Sequence, residues 1–143
     1  MKVLYIKASP KPEDKSVSHK LAKAFIGEYI KNNPKDEVTE LNLHDRGCRH
    51  VDYEILCDSF ERKGLMVETA NKFMEYDKYI ISSPMWNLSI PAILKSYIDL
   101  ITVKGITFEY SKLGIPIGLA KGKKTIYLGS RGGGYPFPLS LIT

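Results

Sequence analysis

Three short stretches of this 143-residue chain carry the side chains best suited to chemistry. In SPMWNLSIPA, Ser83 to Ala92, the chain's single tryptophan, Trp86, and the amide of Asn87 lie between Pro84 and Pro91. Met85 and Trp86 offer an apolar, polarizable surface for a flat ring. Asn87 can both donate to and accept from the edge of such a ring, and the two prolines narrow the backbone's freedom. In the second stretch, Ser9, Ser16, Val17 and Ser18 precede an apolar helical pattern. Hydroxyls beside a helix N-terminus, with its unpaired N–H groups, can hold a phosphate. The third is Ser130-Arg131-Gly132-Gly133-Gly134-Tyr135, where consecutive glycines let backbone amides approach a ligand without a Cβ between.

Each stretch also has a plainer role open to it. Ser9 can be a turn residue and Ser16 a helix cap. Met85 and Trp86 can be core with Asn87 capping a turn, and the glycines can be a hinge. Other constellations are weaker. His44, Cys48, His50 and Cys57 match none of the usual zinc spacings. Gly118 to Lys124 (GLAKGKK) is one residue short of a phosphate-binding P-loop and lacks the hydroxyl after its lysine. His19 is expected on the surface of its helix, Glu13 and Asp14 lie in a polar loop, and residue order argues for no nucleophile–base pair.

The elements that must position these stretches follow from periodicity. Val3–Lys7, a short β-branched and aromatic run, and Lys124–Gly129 read as strands, and Lys78–Ser82 is a continuous apolar run typical of a strand covered on both faces. Glu37–Leu43 alternates apolar and polar, as a half-covered strand does. Leu21, Ala24, Phe25 and Glu28 set a helical stripe that starts at Ser16 or Ser18 and ends before Asn32-Asn33-Pro34. A second helical region runs from about Glu54 to Tyr76, with a break expected at Gly64. A third opens with Pro91 at its first position and has Ile93, Leu94, Tyr97, Ile98 and Ile101 as its apolar face. Thr107–Tyr110 and Ile115–Leu119 suit a small hairpin. Alternating strands and helices predict a single α/β domain over residues 1–143, a doubly wound parallel sheet with helices on both faces. Such sheets take ligands beyond the carboxyl ends of their strands, where all three stretches fall.

Composition narrows the class. Hydrophobic content of 43% and charged content of 26% are those of an ordinary globular protein. No apolar run approaches the roughly 20 residues of a membrane span. Two cysteines without CxxC spacing fit a reducing cytoplasm. The net charge of +5 favours an anionic ligand, yet no basic stripe with interleaved aromatics predicts nucleic acid.

SSPMWNLSIPAILKSYIDLI resembles the flavin-binding stretch of the FMN-dependent NADH-azoreductases, which are also NADH:quinone oxidoreductases. ASPKPEDKSVSHKLAKAFI resembles their first loop and helix, and GITFEY with GLAKGKKTIYLGSRGGGY their later segment, in the same order. The resemblance implies a flavodoxin-like fold with a five-stranded parallel sheet, bound FMN and a homodimer. It implies that Ser9, Ser16, Val17 and Ser18 hold the FMN phosphate, that Met85, Trp86, Asn87 and Leu88 lie along the isoalloxazine, and that Ser130, Arg131, Gly132 and Gly133 line its pyrimidine side. The implied reaction is ping-pong: NADH gives hydride to the flavin, and a quinone or azo compound is then reduced. The chemistry is flavin-borne, so no catalytic side chain is required. Members of the family continue with another strand and helix, so this chain, which departs from them after Tyr135 with PFPLSLIT, is expected to lack both. The looser Pro-x-x-x-x-x-x-Pro-x-x-Leu-Lys pattern of NAD(P)H-dependent FMN reductases is the nearest alternative. An electron carrier of the flavodoxin kind and a non-catalytic flavin-binding protein are the others.

Overall fold

The structure is a computed structural model that describes residues 1–45 and 48–134. Its elements in chain order are β1 (Lys2–Lys7), α1 (Val17–Asn32), β2 (Glu37–Asn42), α2 (Tyr53–Phe60), α3 (Gly64–Met74), β3 (Lys78–Pro84), α4 (Ala92–Ile101), β4 (Phe108–Tyr110), β5 (Pro116–Gly118) and β6 (Lys124–Ser130). The main sheet is parallel with strand order β2-β1-β3-β6, and β4 and β5 form a separate antiparallel hairpin. Tyr135 and the PFPLSLIT segment lie outside the described residues, as does any strand or helix beyond them.

β1 is central, which explains its composition. Val3 and Tyr5 pack with Ala22 of α1 and Ile80 of β3 on one face. Leu4 and Ile6 pack with Leu94 and Tyr97 of α4 on the other. A third cluster joins Ile55, Met66, Leu100 and Val103 where α2, α3 and α4 meet. Each such aliphatic side chain, once covered, contributes about 1.5–3 kcal/mol of transfer free energy. The three-layer arrangement expected from the sequence is present.

The break between α2 and α3 falls at Gly64 as expected, for two reasons. Its φ is 78°, and a Cβ there would lie 2.9 Å from the Cβ of Asp58. Three details differ from the sequence reading. In α1, Leu21 and Ala24 are exposed, and the covered side carries Ser18, His19 and Ala22. Pro91 is the N-cap of α4, with φ −59° and ψ 146°, and not its first helical residue. Ile98 is exposed on the outer side of α4, so its apolar face is narrower than the pattern suggests. The basic run Lys121 to Lys124 is explained in part by Lys123, whose ammonium donates to the carbonyls of Met74 and Tyr76 at the end of α3. At the amino edge of the sheet, Asp36 accepts from the Tyr29 hydroxyl, the Lys78 ammonium and the N-terminal ammonium. Those bonds, Tyr29's first, hold its carboxyl well below the usual carboxylate range.

Candidate functional site

The parallel register brings the three loops side by side. β3 lies between β1 and β6, with Lys7 opposite Ser82 and Pro84 opposite Ser130. The Ala8 N–H donates to Ser82 O at 3.0 Å, and the Met85 N–H to Ser130 O at 2.7 Å. Ser9, Met85 and Arg131 therefore leave the carboxyl edge from adjacent strands.

After β3 the chain makes a two-residue hairpin. Trp86 and Ser89 exchange both backbone hydrogen bonds, at 2.9 and 3.0 Å, around Asn87 and Leu88. Asn87 has φ 49° and Leu88 φ 63°, the twin left-handed pair of a type I′ turn. Asn accepts that region readily, whereas for Leu it costs roughly 1–2 kcal/mol. Most backbone donors around the turn are occupied. The N–H groups of Met85, Trp86 and Ser89 are used internally, which leaves those of Asn87 and Leu88 at the tip. Trp86 is 46% exposed, so it is not core. Asn87 does occupy a turn, and its amide projects from an exposed tip.

The serines converge. Ser16 Oγ donates to Ser9 Oγ at 3.1 Å and lies 3.2 Å from Ser18 Oγ. Ser16 also caps α1, accepting from the His19 N–H at 3.3 Å. Its cap role and its place in the cluster are thus both real. The Val17 and Ser18 N–H groups, in the first turn, have no intrahelical acceptor. All three serines are buried, while the Pro10–Lys15 loop between Ser9 and Ser16 is exposed.

That loop is tied down by a residue the sequence reading passed over. Lys7, the last residue of β1, is buried, and its ammonium bonds Glu13 at 2.7 Å and Glu40 at 2.8 Å. Burial opposes the lysine's charge, but the bonds from Glu13 and Glu40 outweigh it and hold its pKa above the ordinary value. The same contact with Lys7 holds the Glu13 carboxyl below its own. A lysine closing an otherwise apolar strand was the available signal. His19 corrects an expectation from the sequence. It is 4% exposed, not on the helix surface, and neither ring nitrogen has a partner among the described residues. Burial, then nearby Lys7, pushes its pKa down.

In the third loop, a Cβ built on Gly132 or Gly133 meets nothing within 4 Å, and neither has a positive φ. No contact within the described residues requires glycine at either position. The histidines and cysteines of the connection after β2 point to separate partners: His44 Nε2 to Ala8 O, His50 Nδ1 to Ser96 Oγ at 2.6 Å, and the Cys48 thiol to Ile93 O. Among the described residues, no three metal-ligating side chains come together. Nor is any helix there long and apolar enough to cross a membrane.

Fold and loops together define a doubly wound α/β protein, a class that takes ligands at the carboxyl edge of its sheet. A sequence profile described as flavodoxin-like fold matches residues 1–139, and the chain belongs to that family. It is 46% identical over 140 residues to the FMN-dependent NADH:quinone oxidoreductase of Clostridium beijerinckii, a match covering 94% of this chain and 70% of that protein. Among solved structures, an azoreductase from Bacillus anthracis superposes with a TM-score of 0.88 at 34% identity, covering 99% of this chain and 74% of that one. An FMN-dependent NADH-azoreductase from the same species, solved in complex with FMN, gives 0.82 at 28% identity, covering 96% and 72%.

Proposed function

We propose that the protein is an FMN-dependent oxidoreductase that passes electrons from NADH to quinones and azo compounds, as one flavin-binding domain working in the cytoplasm. The observation that carries the reading is the junction of the three loops, with Met85 bonded to Ser130 and the serine cluster at the end of the neighbouring strand. Relatives named for this activity supply the reaction class. The donor set suits a phosphomonoester: three hydroxyls and two first-turn N–H groups of α1, with no carboxylate among them. When bound, FMN supplies the redox chemistry, accepting a hydride equivalent and releasing two electrons to the acceptor.

The chain's own residues bind and orient. Ser9, Ser16, Val17 and Ser18 hold the phosphate end. Met85, Trp86 and Leu88 give the ring an apolar wall, and Asn87 with the tip N–H groups bonds its edge. Ser130, Arg131, Gly132 and Gly133 border the other side. The protein acts as a homodimer, a reading supported by the exposed apolar side chains Tyr53, Leu56 and Phe60, spaced along one side of α2. Purified protein with added FMN should show a perturbed flavin absorbance and oxidise NADH in the presence of a quinone. A flavin spectrum unchanged by the protein would refute the reading.

A further inference from the structure

A cavity of about 370 Å³ lies between β2, α3 and α4, away from the three loops. Its size falls within the range of small-molecule sites. Leu4 and Leu41 form its floor on the sheet, and Phe73 of α3 with Tyr97 and Leu100 of α4 form its wall. Among the described residues lining it, Asp45 and Glu68 stand against Lys72. The flavin reading uses none of these residues.

The informative group is Tyr97. It is 5% exposed, and burial raises its pKa, so it stays a neutral phenol. Its hydroxyl has no hydrogen-bond partner among the described residues, unlike Tyr79 in the same cluster, which donates to Phe73 O at 2.8 Å. The phenol oxygen is not among the fully enclosed polar atoms of the described residues, so water in the cavity can accept from it until a ligand does. The wall around it is apolar, formed by Leu4, Leu41, Phe73 and Leu100. Such a wall suits a flat, uncharged ring system, and a phenol donor suits a carbonyl oxygen on that ring. With Asp45 and Glu68 against Lys72, the described lining residues disfavour anions such as nucleotides and phosphate esters.

We propose that this cavity is a second small-molecule site, taking a neutral ring compound whose carbonyl accepts from Tyr97. Coumarin, a neutral fused-ring lactone, is a suitable probe, and coumarin-3-carboxylate its anionic counterpart. Both are titrated into protein with excess FMN present, followed by methyl-resolved NMR. The assignment does not depend on flavin binding. Coumarin should shift the methyls of Leu41 and Leu100 and bind at least tenfold tighter than the carboxylate. Tyr97→Phe, which removes one oxygen, should weaken coumarin by about five- to tenfold, the worth of one neutral hydrogen bond. Leu41→Trp should fill the space and abolish binding. Shifts confined to the flavin loops, equal binding of the two probes, or unaltered affinity in Tyr97→Phe would each overturn the proposal. If Leu41→Trp fails to fold, the probe pair and Tyr97→Phe decide it.

Discussion

Asn87 has two roles that substitution can separate. Its left-handed backbone suits glycine as well as asparagine, so Asn87→Gly keeps the type I′ turn and removes only the amide. If the amide bonds the flavin edge, flavin reduction by NADH in FMN-saturated Asn87→Gly should slow by about 2–3 kcal/mol of barrier, as for other fixed donors. Stopped-flow absorbance at the parent rate would leave Asn87 as a turn residue alone. His19 gives a pH prediction. Its folded pKa lies below the unfolded value of about 6.5, so the unfolded chain takes up the proton first as pH falls. Its contribution is complete above about pH 6.5 and is lost progressively below it. The groups facing it are Lys7, Glu13, Glu40 and His44. His19→Asn leaves all four in place, so its thermal midpoint should fall less between pH 7 and pH 5 than the parent's. Parallel melting curves across that range would remove His19 from the account.

At the scale of the element, α1 joins stability to ligand binding through one hydroxyl. Ser16→Ala removes the N-cap bond to His19 and should cost about 1 kcal/mol in urea denaturation. It also removes one oxygen of the serine cluster, so FMN affinity should fall more than riboflavin affinity, since only FMN carries the phosphate. Equal losses would place the serines elsewhere on the ligand. α4 couples to the rest by packing. Leu100 is 1% exposed in the cluster shared with α2 and α3, and Leu100→Ala should cost about 2–5 kcal/mol by the same measurement. Elements were legible where their cause is local. Gly64 breaks its helix because its own φ demands it, and the β-branched and aromatic run that starts at Val3 announces a strand by composition. Burial set by distant partners was less legible. Nothing near His19 in sequence says that Tyr5 and Glu40 will surround its cavity, or that the outer side of α4 will leave Ile98 bare.

For the whole molecule, strand alternation was enough to predict the layers and the edge that holds the three loops, because chain crossovers in parallel sheets have one hand. It did not give the pairing of Lys7 with Glu13 and Glu40, which depends on side chains meeting across separate elements. Self-association is also a property at this scale. The chain spans 70% of the length of its Clostridium beijerinckii relative. The α2 stripe leaves Tyr53 82% and Phe60 75% exposed. If a second copy covers them, Phe60→Glu should move the sedimentation profile toward monomer without changing the circular dichroism. A parent protein that sediments as a monomer at all concentrations would end the dimer reading.

The central place of β1 has a consequence for synthesis. It is made before β2, β3 and β6, yet its second neighbour, β3, ends only at Pro84. At roughly 5–20 residues per second, several seconds pass with one edge of an apolar strand open to any passing chain. β2 and α1 can shelter the other edge and one face in that interval, since both are made before residue 43. The nascent chain thus passes through a half-built sheet whose most hydrophobic strand waits for its partner. In that window, chaperone contact and mispairing compete with folding.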